Sequence, residues 1–157
     1  MATGVVSPGR ARVETAALDL GLLFLRLGVA GLMLALHGWA RLGRAFSYSV
    51  LGTEWPFTNL VAGLGFPMAG MFAVASALSE SIGAILVAIG LFTRPAALFL
   101  AIDMTVALYN EMSGADPIEL PALYFIAALT VVMTGPGRYG LDTLLSERRE
   151  RKEGRMG

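Results

Sequence analysis

The sequence predicts an all-α, polytopic membrane protein: an antiparallel bundle of four transmembrane helices with both termini in the cytoplasm. Three observations predict it, namely the composition, four long apolar stretches and the placement of the basic residues. Of 157 residues, 55% are apolar and 15% charged, and the mean hydropathy is +0.66. A soluble domain carries about a quarter charged residues and just under half apolar ones, so the solvent this chain is built for is lipid. Twelve basic residues balance twelve acidic ones. That balance excludes recruitment to nucleic acid by bulk charge, and the low charge content argues against disorder. Cysteine is absent, which removes disulfides, dithiol redox cycling and thiolate ligands. One histidine is too little for a zinc cluster, and no metal is expected.

A crossing helix needs about 20 mainly apolar residues, because about 30 Å of hydrocarbon is climbed at 1.5 Å per residue. Residues 1–19 form a flanking segment bearing Arg10 and Arg12. The first span, 20–37, is apolar except for Arg26. Arg26 interrupts the run and no small-x-small site falls at Leu36-His37-Gly38, so this is a retained helix and not a cleaved leader. An outer loop, 38–67, is too aromatic to be freely solvated and is expected to cover the outer mouth of the bundle. The second span, 68–92, is interrupted by Ser76, Ser79, Glu80 and Ser81. Thr93-Arg94-Pro95 is a tight turn, with Pro suited to the first turn of the next helix, and the third span, 96–110, carries Asp103 and Thr105. Gly114, Pro117 and Pro121 mark a loop before the fourth span, 119–134, which Gly135-Pro136-Gly137 ends. The tail, 140–157, has Leu141, Leu144 and Leu145 on one side of a short helix and mixed charges beyond, as in a flank lying on headgroups. The four-helix domain is thus 20–139.

Orientation follows from the basic residues. Arg10, Arg12, Arg94, Arg138, Arg148, Arg149, Arg151, Lys152 and Arg155 fall on one side. Only Arg41 and Arg44 fall on the other, with Glu54, Glu111, Asp116 and Glu119. The positive-inside rule places the first side, and both termini, in the cytoplasm of a plasma (inner) membrane. Trp39 and Trp55 are then expected as interfacial anchors.

Three charges should not be in lipid. At mid-bilayer each costs at least ~2.5–3.5 kcal/mol and normally faces a partner or a wet cavity. Counting residues puts Arg26 roughly 10 Å and Asp103 roughly 13 Å from the cytoplasmic ends of their helices, with Glu80 roughly 20 Å deep. Arg26, Glu80 and Asp103 are therefore expected to share one site, the planar guanidinium serving two acids. Glu80, further from Arg26 by this count, is the acid expected to hold a proton. Helical spacing adds His37 to the Arg26 stripe, Ser76 to that of Glu80, Asn110 to that of Asp103, and Glu119 with Thr130 and Thr134 on the fourth span. These are candidate ligand contacts. The plainer reading is that one Arg and two acids lock helices together, that small residues at four-residue spacing are packing surfaces, and that His37 is a snorkelling tip.

Taken in order, several pieces resemble the DoxX family of small four-helix membrane proteins. They are Leu25-Arg26-Leu27, Leu36-His37-Gly38, Gly65-Phe66-Pro67 and Glu80-Ser81-Ile82-Gly83. Two longer pieces follow, Gly90-Leu91-Phe92-Thr93-Arg94-Pro95-Ala96-Ala97 and Gly135-Pro136-Gly137-Arg138-Tyr139-Gly140-Leu141-Asp142. The resemblance spans about 20–145. It implies a subunit of a membrane complex coupling sulfur or thiol oxidation to the quinone pool, with quinone as the expected ligand and a partner protein or second copy of the chain alongside. It supplies no agreed catalytic set. Since the chain has no Cys, any thiol chemistry belongs to a partner. A non-catalytic interaction protein is the competing expectation. A solute or proton pathway is a weaker one, as no inverted repeat is evident.

Overall fold

The computed structural model describes the backbone of residues 8–112, 114 and 117–155, and within them the side chains from residue 14 onward. Arg10, Arg12 and Asp116, counted above as flanking charges, lie outside the described side chains. Among the described residues every regular element is helical.

The first helix is much longer than the sequence suggests. Helix α1 (Pro8–Met33) runs through a π turn (Leu34–Gly38) directly into α2 (Trp39–Leu51). Gly52, at φ +67°, ends it with a left-handed cap, the conformation glycine adopts most readily. The expected outer loop 38–67 is therefore mostly helix, since α3 (Pro56–Gly63) follows, opened by a Pro in its first turn. The chain does not break at Gly38 because a continuous stripe still has something to bury. Arg26, Ala30, Met33, Gly38 and Ala45 are all buried. The step from Met33 to Gly38 is five residues where an α-helix would use three or four, and the wide turn absorbs the extra one.

The second rod repeats this design. Helix α4 (Ala69–Leu78), a π turn (Ser79–Gly83) and α5 (Ala84–Ile89) end at Gly90, φ +73°. Then come α6 (Thr93–Met112), α7 (Glu119–Thr134) and α8 (Leu141–Glu153). Two helical stretches, Glu14–Leu51 and Ala69–Ile89, are long and apolar enough to cross a membrane. Large apolar side chains cover the outside, among them Phe24, Leu36, Phe46, Phe99 and Leu123.

Two apolar cores stack along the molecule. One joins α1, α5, α6 and α7 through Ala30, Met33, Val87, Leu100, Tyr124 and Val131. The other joins α2, α3 and α4 through Ala45, Trp55, Val61, Ala73 and Ala77. Trp55 is not the lipid-facing anchor the sequence suggests. It is 5% exposed and packs against Phe57 and Tyr48, with ring centroids 5.3 and 6.1 Å away. Trp39 does face outward.

Candidate functional site

Glu80 lies in the second π turn and is 3% exposed. Its Oε1 accepts a hydrogen bond from Arg41 Nη1 at 2.6 Å. The Arg41 guanidinium also lies 4.7 Å over the Phe57 ring, a favourable place for a cation near apolar surroundings. The pair exists because the two π turns abut. A Cβ on Gly38 would run into the Glu80 carbonyl oxygen, so only glycine permits this approach. Each wide turn shifts the following residues around the helix axis, and the first one helps set the stripe from which Arg41 reaches Glu80.

Beside this pair is a cavity of about 450 Å³ lined from α2, α3, α4, the second π turn and α6. Phe57, Phe66, Phe72 and Phe99 give it aromatic walls, and Arg41, Ser76, Ser79, Glu80, Asp103 and Asn110 give it polar ones. Phe99 and Ile102 line it while also standing 65% and 53% exposed, so its wall is continuous with the apolar outer surface. Ser76 lies alongside the Asp103 carboxylate. Four lining atoms are buried without a partner: Ser79 Oγ, Glu80 Oε2, Asp103 Oδ2 and Glu111 Oε2. Buried polar atoms are normally satisfied, and their concentration around one cavity is what makes it the candidate site.

The structure places the predicted residues in two groups. Glu80, Asp103, Ser76 and Asn110 line the same cavity. Arg26 is not there. It reaches the opposite way, and its Nη2 donates to the Tyr139 carbonyl at 3.4 Å. Helical side chains lean toward the N-terminus, and α1 begins at Pro8 rather than near residue 20. The lean carries the Arg26 head toward Tyr139 and away from the cavity. The guanidinium beside Glu80 is that of Arg41. His37 is half-buried outside the cavity lining, edge-on to Tyr124 at 6.1 Å, with Nδ1 buried and unpartnered. Glu119 is exposed in the first turn of α7. The polar line expected on that helix is consumed internally, as Thr130 and Thr134 donate to the carbonyls of Ile126 and Thr130. Sequence reasoning missed Arg41, Ser79 and Glu111. The signal for Arg41 was available, because continuing the stripe of Arg26, Ala30, Met33 and His37 by four residues arrives there.

Residues 21–110 match the family model described as DoxX, which is more than half of the chain. The chain belongs to the DoxX family. It is also similar to a protein of Haemophilus influenzae described as uncharacterized, 34% identical over 130 residues that cover 77% of this chain and 87% of that one. No solved structure matches.

The Gly90 segment, inside the matched region, and the Gly140 segment, beyond it, meet at the end of the molecule away from the cavity. The Asp142 carboxylate accepts from the backbone N–H groups of Phe92 and Thr93, both at 2.9 Å, and from the Thr93 hydroxyl at 2.8 Å. It therefore caps α6 from 49 residues away in sequence, supplying the acceptor a helix N-terminus needs. Burial alone would push this carboxyl up. The Thr93 and Phe92 hydrogen bonds and the Arg26 charge outweigh it and hold the pKa below the usual carboxylate range. In return the Asp142 N–H donates to the Gly90 carbonyl at 2.8 Å. Fully enclosed Arg26 fills the space between, and a Cβ on Gly90 would collide with its Nη1 and with the Gly140 Cα. The Arg138 N–H donates to Asp19 at 3.1 Å, which ties the start of the first rod to the same junction.

Proposed function

We propose that this DoxX-family membrane protein is a subunit of a membrane redox complex linking sulfur or thiol oxidation to the quinone pool, and that its cavity receives the quinone head. The observation that carries this reading is the cavity itself: apolar walls continuous with the outer surface, enclosing buried polar atoms that have no partner within the chain. That combination suits a lipid-soluble ring bearing polar substituents. Arg41, Ser79, Glu80, Asp103 and Asn110 are the groups that would hold the substituents. Phe57, Phe66, Phe72 and Phe99 would pack on the ring and exclude water. A quinone, when bound, supplies a two-electron, two-proton acceptor. The chain's part is to orient it and to hold or pass a proton at the Glu80 and Asp103 carboxylate oxygens. With no Cys in the chain, sulfur chemistry falls to a partner protein in the complex or to a bound group of that partner.

The same proposal includes the membrane arrangement: a four-helix bundle, multi-pass in the plasma membrane, with both ends of the described chain on the cytoplasmic side. The Asp19–Arg138 contact supports it by bringing the segments outside the first and fourth spans together, and Arg94, Arg148, Arg149 and Arg151 follow the positive-inside bias. Because the chain has no native Cys, single-Cys variants in α8 and near Gly52 can be labelled in intact cells without background. Labelling near Gly52 alone is expected.

The functional test is purification in lipid nanodiscs, extraction and mass analysis of bound lipids. A stoichiometric quinone is expected, and Glu80→Gln should yield folded protein without quinone-linked turnover. Wild-type turnover in that variant would remove Glu80 from the mechanism. A quinone-free protein with a co-purifying partner would favour an interaction protein whose buried charges only hold the helices together.

A further inference from the structure

The bundle is apolar on one side of Glu80 and Asp103 and polar on the other. Toward the Arg26 junction, Ala97, Leu100 and Ala101 of α6 pack on Ala30, Met33 and Val87, none of them more than 4% exposed. The gap left in this packing, about 10 Å³, has room for about one water. Beyond it stands Arg26, whose guanidinium does not release a proton. In the other direction the cavity lining continues along α6 through Val106, Ala107, Asn110 and Glu111, which share one stripe with Asp103. Glu111 is about two turns, or about 12 Å, beyond Asp103 and stands in the last turn of α6, which ends at Met112.

Groups able to carry a proton recur over that distance. Glu80 is 3% exposed, and its Oε2 is buried without a partner, as are Ser79 Oγ, Asp103 Oδ2 and Glu111 Oε2. They surround a space of about 450 Å³ with room for water between them. Arg41 from α2 and Tyr124 from α7 also face Glu80. Arg41 carries no proton onward, and Tyr124 lies among the packed apolar side chains. We propose that Glu80 and Asp103 exchange protons with water at the C-terminal end of α6, by way of the cavity, Asn110 and Glu111, and not across the Arg26 junction. Carboxyls joined by water pass protons readily. The proposal rests on the quinone reading for the use made of those protons. Each quinone takes two electrons from the partner's sulfur compound and two protons from this end, and becomes hydroquinone. In the membrane arrangement proposed above, that end is the outer one.

The experiment is infrared spectroscopy of the full chain in liposomes of one orientation, established with the single-Cys labels described above. A step to acid pH is applied on one side in a buffer that does not cross the bilayer. The carboxylic C=O bands of the two acids are assigned by their loss in Asp103→Asn or Glu80→Gln, either of which suffices. A step on the side of Gly52 should raise these bands at least tenfold faster than a step on the side of α8. Glu111→Gln should slow that response at least threefold, and Glu111→Asp, which keeps a carboxyl, should restore most of the rate. Less than a tenfold difference between the two sides overturns the sidedness. A folded Glu111→Gln protein slowed less than threefold overturns the route. Bands that respond to neither step overturn the inference outright, while a co-purifying quinone would still support the reading above. A quinone-free protein whose bands respond from the Gly52 side alone strikes the quinone reading and leaves the proton route standing.

Discussion

The two ends of this molecule use the same expensive ingredients and do opposite things with them. At the junction end, Asp142 spends its lone pairs on the first turn of α6, and the backbones of Gly90 and Gly140 close around Arg26 until no side chain fits between. At the cavity end, Glu80 gives one oxygen to Arg41, while its Oε2, Asp103 Oδ2 and Glu111 Oε2 are left beside open space. Arg26 Nε and Nη1 are also buried without a partner, so neither buried charge nor unused hydrogen-bonding capacity separates the two ends. The open space beside the acids does.

That contrast can be broken by experiment, most sharply through its two arginines. Arg26→Ala empties a fully enclosed site, a truncation that costs about 2–5 kcal/mol, and Arg41→Ala takes one member from a buried pair, a change that costs about 3–5 kcal/mol. Half-exposed Arg41 belongs at the lower end of that range. Both variants should melt earlier in detergent, but only Arg41→Ala should also lose bound ligand. Equal ligand loss in both would erase the distinction. Next in size are the glycines. Gly90→Ala places a Cβ on Arg26 in a left-handed backbone conformation and Gly38→Ala places one on the Glu80 carbonyl, so each should cost about 1–3 kcal/mol by overpacking. Only the change at Gly38 should disturb the cavity.

Asp142→Asn is a smaller perturbation, about 1 kcal/mol for a weakened cap. It also has a pH signature. The folded carboxyl titrates below its unfolded value, so the native cap contributes stability that is complete above about pH 4 and is lost as pH falls through the folded pKa. Melting curves across that acid limb should be steeper in the wild type than in Asp142→Asn. The smallest effect is expected at Glu119→Gln, within about 0.5 kcal/mol, as for surface changes in general.

Much of this was legible in the chain, but unevenly. The apolar stretches revealed the helices, and Glu80 and Asp103 announced themselves as acids in apolar runs. The partner of those acids is hidden by where the first helix is taken to end. Gly38 and Trp39 read as the start of a loop, which puts Arg41 in that loop, whereas the helix continues through a π turn to Leu51. Arg26 is misplaced for a different reason, as depth counted along the backbone ignores the backward lean of its side chain. The junction was readable only in pieces. The Gly90 and Gly140 segments stand out separately, and nothing local says that Asp142 closes onto Thr93.

The paired wide turns have one more consequence. Each rod is divided into two lengths whose faces are phased independently, because a single added residue rotates everything after it by about 100°. The lower length can keep the phase that the Arg26 junction demands while the wide turn and the upper length set where Glu80 and Arg41 meet the cavity. A fastening and a cavity wall are thereby built into one continuous helix, and reshaping the wall need not loosen the fastening.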